Sequence, residues 1–111
     1  MEVTTREQDG TAIVAITGEI DSKTAPDAQA QLLPFVEKHH SLIMDMSGLT
    51  FMSSAGLRMM LLIYRHATAS NGKVALVGLS EQISDTMSAT GFLTFFVVCS
   101  TIEQAKEAIK A

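Results

Sequence analysis

Three features of the sequence predict an α/β domain. β-branched apolar runs alternate with helical patterns, hydroxyl or proline signals stand ahead of the helical stretches, and glycine or asparagine follows them. At 111 residues the chain is long enough for a single domain, 1–111, and too short for two. Hydrophobic residues make up 47 % and charged residues 18 %, a balance that favours a packed core over disorder. A domain of this size buries roughly two-thirds of its unfolded surface, so no metal or disulfide staple is required. Aromatic residues are only 5 %, with no Trp, so the core is expected to be aliphatic and Met-rich.

Each element has its own signal. Ala12 to Thr17 is a β-branched apolar run closed by Gly18 and reads as a largely buried strand. Val3 to Glu7 is a polar strand ahead of it, and Asp9-Gly10 is the expected hairpin turn. Thr24-Ala25-Pro26-Asp27 is a helix start, with a hydroxyl cap, Pro in the first turn and Asp at the positive end of the dipole. Ala28, Leu32, Phe35 and Val36 form that helix's apolar face, and Pro34 is expected to kink or loosen its last turn. Ser41 to Met46 is the next strand, and a helix then follows Ser53-Ser54 to about Ala69, with Asn71-Gly72 as its stop. Val74 to Val77 is a short buried strand, Glu81 to Ala89 a helix, and Thr94 to Val98 a strand. The last helix is expected to begin with a capping box, Ser100 to Glu103.

Composition narrows the function. The net charge of −4 and pI near 5.2 argue against nucleic acid, which is bound through clustered Lys and Arg. Cys99 stands alone, so an internal disulfide or multi-thiolate metal site is excluded and a reducing compartment fits. Met1 to Thr5 carries no basic n-region or apolar h-region, so no signal peptide is expected. The apolar stretch Met59 to Tyr64 lies between Arg58 and Arg65 and is far too short to span a membrane. These features together predict a cytoplasmic domain without membrane insertion.

Catalytic signatures are missing: no Gly-x-Ser-x-Gly elbow, Walker-type loop or His-Glu-x-x-His helix occurs. No catalytic residue, metal site or cofactor is therefore expected. His39 and His40 fall at the end of the first helix, where a cation suits the dipole, and read as surface residues. Cys99 reads as a small buried hydrophobe.

The distinctive segment is Asp45-Met46-Ser47-Gly48-Leu49-Thr50-Phe51-Met52-Ser53-Ser54-Ala55-Gly56-Leu57-Arg58. It reads as a strand end, a polar turn and a helix that begins with small residues. The plain role of Ser53 or Ser54 is an N-cap. Yet free N–H groups and the dipole at such a terminus also favour an anion, and Ala55 and Gly56 would admit another protein's active site. On a helical wheel Arg58, Leu62 and Arg65 fall within roughly 80° of Ser54. Gly56, Leu57, Met60, Leu61, Ile63, Tyr64 and Ala67 are expected in the core. The stripe is either a solvated polar face or a partner-binding surface, and Leu62 in its middle is the reason to consider the second.

Several motifs in order resemble the STAS-domain anti-sigma factor antagonists of bacterial partner-switching systems. Thr17-Gly18-Glu19-Ile20-Asp21 is similar to the family's strand-end motif, and Asp45 to Met52 to its strand and turn. Ser53-Ser54-Ala55-Gly56-Leu57 occupies the phosphorylation loop, and Met87 to Phe92 resembles a late hydrophobic-x-x-x-Gly segment. The resemblance implies a STAS fold: a mixed, mostly parallel sheet of about five strands, with about four helices packed mainly on one face. It also implies a regulatory partner protein that binds an anti-sigma factor, itself a serine kinase, and so releases a sigma factor. Phosphorylation by that kinase abolishes binding, and a PP2C-type phosphatase restores it.

Carried over by position, the acceptor is Ser54, two residues before Gly56, and Gly18, Glu19 and Asp21 lie beside it in the docking surface. Ser53, Ala55 and Gly56, with the stripe residues Arg58, Leu62 and Arg65 from the helical wheel, complete the expected partner-binding set. Better-known members carry Asp-Ser-(Ser/Thr)-Gly here. This chain replaces the Asp with Ser53, a competing acceptor, and the second hydroxyl with Ala55, which removes one. Two other readings remain: a non-phosphorylated STAS subunit docking onto a transporter or lipid-transport ATPase complex, and a serine hydrolase joining Ser54 to His66. The second requires residues three turns apart on one helix to meet.

Overall fold

The computed structural model describes residues 1–8 and 10–110. In chain order the elements are β1 (Glu2–Gln8), β2 (Thr11–Ile20), α1 (Ala25–His39), β3 (Leu42–Asp45), β4 (Leu49–Met52), α2 (Ser54–Ala69), β5 (Val74–Val77) and α3 (Glu81–Ala89). A 3₁₀ turn (Phe92–Phe95), β6 (Val97–Cys99) and α4 (Ile102–Lys110) complete the chain. The sheet has six strands, five of them in the order β1-β2-β3-β5-β6, while β4 pairs with β2 off this path. β1 is antiparallel to β2, and every other pairing is parallel. The hairpin is therefore present; of its expected turn, Asp9 lies outside the described residues and Gly10 has φ +78°.

Period-2 alternation explains why the central strands read as continuous apolar runs. Ala12, Val14 and Ile16 of β2, with Leu42, Met44 and Leu76, face the main core under α1, α2 and α3. Ile13, Ile43, Ala75 and Val77 point to the other face, where Ala105 of α4 covers them. Three helices thus lie on one face and one on the other. α1 buries Ala28, Leu32 and Val36, a ridge at four-residue spacing. The helix continues to His39 through Pro34, which lies on its exposed side, so the proline does not end it.

Five expectations are corrected. β2 runs past Gly18 to Ile20, and Leu49–Met52 forms a strand where a turn was expected, which raises the strand number to six. Thr94 and Phe95 belong to the 3₁₀ turn, not to a strand. Tyr64 draws Phe95 and Phe96 onto its ring, with centroids at 5.0 and 5.7 Å, and this packing outweighs β-propensity. The cap of α4 sits one residue later than expected: the Thr101 hydroxyl accepts from the Gln104 N–H at 3.1 Å, and Gln104 Oε1 accepts from the Ser100 N–H at 2.9 Å. His39 is not a surface residue. Its side chain is 11 % exposed, stacked on Phe35 at 5.5 Å, with Nε2 2.9 Å from Glu7 Oε1.

Candidate functional site

The site forms where β2 changes neighbours. Ala12 to Ala15 pair with β3, whereas Gly18 to Ile20 pair with β4, with a bulge between Gly18 and Glu19. Two glycines permit the change. Gly18 has φ +88°, a conformation that side chains disfavour, and its N–H donates to the Gly48 carbonyl at 3.0 Å. A Cβ on Gly48 would stand 2.6 Å from Thr17 Cγ2, so only glycine lets the turn cross β2 this closely. The Thr50 hydroxyl donates to the Gly18 carbonyl at 3.0 Å and locks the crossing. Ahead of it, Asp45 Oδ1 accepts from the Ser47 hydroxyl at 2.7 Å and the Ser47 N–H at 3.1 Å, which shapes the exit from β3.

The chain then leaves β4 directly into α2. The Ser53 N–H donates to the Ile20 carbonyl at 2.8 Å, stitching the helix start to the end of β2. Ser53 is the N-cap: its backbone is extended and its hydroxyl accepts from the Gly56 N–H at 3.4 Å. Ser54 is the first helical residue and is exposed, and its hydroxyl makes no hydrogen bond among the described residues. The first turn of α2 contains no acidic side chain. Its free N–H groups and positive dipole end are therefore uncompensated by a carboxylate of that turn.

Asp21 organises the neighbouring loop. Its Oδ1 accepts from the Lys23 N–H at 2.9 Å and the Thr24 N–H at 3.0 Å, an Asx turn that leads into α1. The Thr24 N–H is the largest cause that holds the Asp21 carboxyl below its ordinary range, followed by the Lys23 N–H. Thr24 itself does not cap α1; its hydroxyl accepts from the Asp21 N–H at 2.9 Å and lies 3.0 Å from the Glu19 carbonyl.

Gly18, Glu19, Asp21, Ser53, Ser54 and Ala55 are thus brought to one corner of the molecule. Arg58, Leu62 and Arg65 extend from it down α2, with both arginines exposed and Leu62 half-buried. Gly56 does not share this surface. It is buried, and a Cβ there would stand 2.7 Å from Met52 Cγ and 3.0 Å from Ile20 Cγ2. Its missing side chain lets α2 pack closely on β2 and β4. Met59, unassigned by the helical wheel, is 2 % exposed and belongs to the core, while Leu61 and Tyr64 are only half-buried.

Two features of the site escaped the sequence reading. Phe51, whose Cα is in register with Glu19, is 44 % exposed beside the corner; an aromatic residue within the hallmark segment was the available signal. Ser22, Pro26 and Gln29 at the start of α1 face Ala55, Arg58, Leu62 and Arg65 across a groove of about 730 Å³, and no motif marks them as part of a groove.

The geometry gives Ser54 no activating base from His66. Twelve residues of α2 separate the two, about 18 Å along the axis, and His66 Nδ1 instead lies 3.9 Å from Glu37 Oε1. Among the described residues no group of three or more His, Cys, Asp or Glu is placed to hold a metal ion. No described helix is long and apolar enough to cross a membrane.

Comparison with known proteins gives a consistent picture. The STAS domain family matches residues 2–105. An anti-sigma factor antagonist of Bordetella bronchiseptica, BtrV, is 31 % identical over 111 residues, which cover 99 % of this chain and 96 % of BtrV. The crystal structure of an anti-sigma factor antagonist from Thermotoga maritima superposes with a TM-score of 0.91 at 18 % identity, covering 98 % of this chain and 95 % of that one. The Bacillus cell fate determinant SpoIIAA in its phosphorylated form gives a TM-score of 0.73 at 19 % identity, covering 97 % of this chain and 99 % of that one. These two structures share the fold.

Proposed function

Because the chain belongs to the STAS-domain family, we propose that it acts, like BtrV, as an anti-sigma factor antagonist controlled through Ser54. The unmodified form binds a cognate anti-sigma factor that is also a serine kinase, and so releases a sigma factor in the cytoplasm. Phosphorylation of Ser54 ends binding, and a PP2C-type phosphatase restores it. The observation that carries this reading is the contrast between adjacent serines: the Ser53 hydroxyl is engaged as the helix cap, whereas the Ser54 hydroxyl is exposed and unengaged among the described residues. The presence of SpoIIAA in a phosphorylated form within the same fold supports it.

The physical consequence of modification is local. Phosphate adds about −1.5 to −2 charges at the first position of α2, where N–H groups and the dipole receive it. Arg58, one turn on and on the same face, is placed to pair with it. An apolar or acidic partner surface at that corner would then meet a charge it must desolvate or repel. The net charge of −4 becomes roughly −6 without any need to rearrange the sheet.

Incubation with ATP and the cognate kinase, followed by intact-mass measurement and peptide mapping, tests the assignment. One phosphate is expected on the peptide that contains Ser54, and none on Ser54→Ala. Equal phosphorylation of Ser54→Ala would refute the site. A pull-down is expected to retain the anti-sigma factor on the unmodified chain and lose it on Ser54→Asp. Full function of Ser54→Ala, with co-purification of a membrane ATPase, would instead favour a transporter-docking subunit.

A further inference from the structure

The groove between α1 and α2 begins at Ala55, next to Ser54, and runs along α2 to Arg65. Its lining combines apolar surface from Ala25, Met59, Leu61 and Leu62 with the guanidinium groups of Arg58 and Arg65. The chain carries twelve acidic and eight basic residues, yet none of the groove-lining side chains among the described residues is acidic. Neither arginine has an ion-pair partner among the described residues. Two unpaired cations over an apolar strip, in an acidic protein, select an occupant of opposite character. Arg58 and Arg65 are seven residues apart, two turns of one helix, which separates them by about 10 Å along the axis. A partner helix with carboxylates at the same seven-residue spacing and apolar side chains between them would match both the charges and the strip.

We propose that this groove is a docking site for an acidic amphipathic helix of the anti-sigma factor, with Arg58 and Arg65 as its two charge contacts. The proposal rests on the antagonist reading above and extends it from the Ser54 corner along the whole exposed face of α2 to the wall of α1. It also gives Arg58 two alternative partners. In the unmodified chain its guanidinium meets a partner carboxylate; with phosphate on Ser54, one turn away, it is drawn to its own helix. Modification then removes one of the two charge contacts from the groove as well as placing an anion beside it.

The test measures the affinity of the purified anti-sigma factor for the intact chain and four variants by titration calorimetry, with folding checked by circular dichroism. Arg65→Glu lies three turns from Ser54, and Gln29→Glu places a carboxylate on the α1 wall of the groove. Both are expected to weaken binding by at least about tenfold. Lys106→Glu, on α4 across the sheet, should leave affinity within about twofold, as distant surface charges do. Ser54→Asp reports the antagonist reading separately. Loss with Ser54→Asp but wild-type affinity in both Arg65→Glu and Gln29→Glu would overturn the groove and leave the antagonist reading standing. Loss with the groove variants but not with Ser54→Asp would support the groove and remove the Ser54 switch. Equal weakening by Lys106→Glu would reduce the effect to net charge and overturn the groove, and absence of any anti-sigma factor binding to the unmodified chain overturns both.

Discussion

Helices α2 and α3 begin with the same device and continue differently. Ser53 and Ser80 both have extended backbone and accept an N–H three residues on, from Gly56 at 3.4 Å and from Ile83 at 3.2 Å. At the first helical position α3 carries Glu81, and α2 carries Ser54. At the third, α3 carries Ile83, 4 % exposed, and α2 carries Gly56, packed against Met52 and Ile20. α3 thus holds a permanent anion on its dipole and an anchor in the core. α2 presses its backbone onto the sheet and leaves the anion position to a hydroxyl. The difference shows how one capping pattern yields either a finished helix start or one that can still accept charge.

Exchanging the third residue should break this comparison most severely. Gly56→Ile drives a branched side chain into Met52 Cγ at 2.7 Å and Ile20 Cγ2 at 3.0 Å, and an overpacking cost of about 3 kcal/mol exceeds the gain of roughly 0.5 kcal/mol in helix propensity. Ile83→Gly should lose a comparable amount by the opposite cause, a vacated core position plus glycine's helix penalty of about 1 kcal/mol. Urea unfolding measures both. A Gly56→Ile midpoint equal to wild type would mean that close approach of α2 to the sheet is not what requires glycine.

Removing the caps tests the feature the two helices share. Ser53→Ala and Ser80→Ala should each cost about 1 kcal/mol, since each leaves an N–H without its acceptor. A silent Ser53→Ala would indicate that the backbone bond from Ser53 to Ile20 alone holds the start of α2.

A charge at the first position separates them again, by less. Ser54→Asp should raise stability by about 0.3–1 kcal/mol, and Glu81→Gln should lower it by a similar amount, because each alters the anion facing a helix N-terminus. Urea midpoints at low salt would resolve the pair. Destabilisation by Ser54→Asp would contradict a helix start prepared for phosphate.

Legibility in the sequence followed how local each signal was. β2, β3 and β5 were readable because both of their faces are covered, which leaves unbroken apolar runs around Ile13, Ile43 and Ala75. β4 was not, because only its end residues Leu49 and Met52 are buried while Thr50 and Phe51 are exposed, a pattern with no period of two. The strand exists through its pairing with Gly18 to Ile20, a long-range fact. The same holds at the site. Ser54 and the Gly18 to Asp21 segment stood out in contiguous motifs, but their meeting depends on the bond from Ser53 to Ile20. The groove needs α1 packed on α2, and Ser22, Pro26 and Gln29 carry no signal of it.

α1 offers a third kind of helix start, and the smallest expected effect. Its N-cap residue Thr24 makes no side-chain cap, and the carboxylate of Asp21, three residues earlier, accepts the N–H groups of Lys23 and Thr24 instead. These bonds favour the charged form, so the folded pKa lies below the ordinary value of 3.8. The unfolded chain therefore binds the proton first as pH falls. The contribution of Asp21 to stability is complete above pH 3.8 and is lost as pH drops through the lower folded value. Asp21→Asn keeps an oxygen acceptor but no titrating charge. The difference in urea midpoint between wild type and Asp21→Asn should stay constant at higher pH and shrink below pH 3.8. A difference that persists unchanged well below that pH would show that geometry, and not charge, lets Asp21 hold the loop beside Ser54.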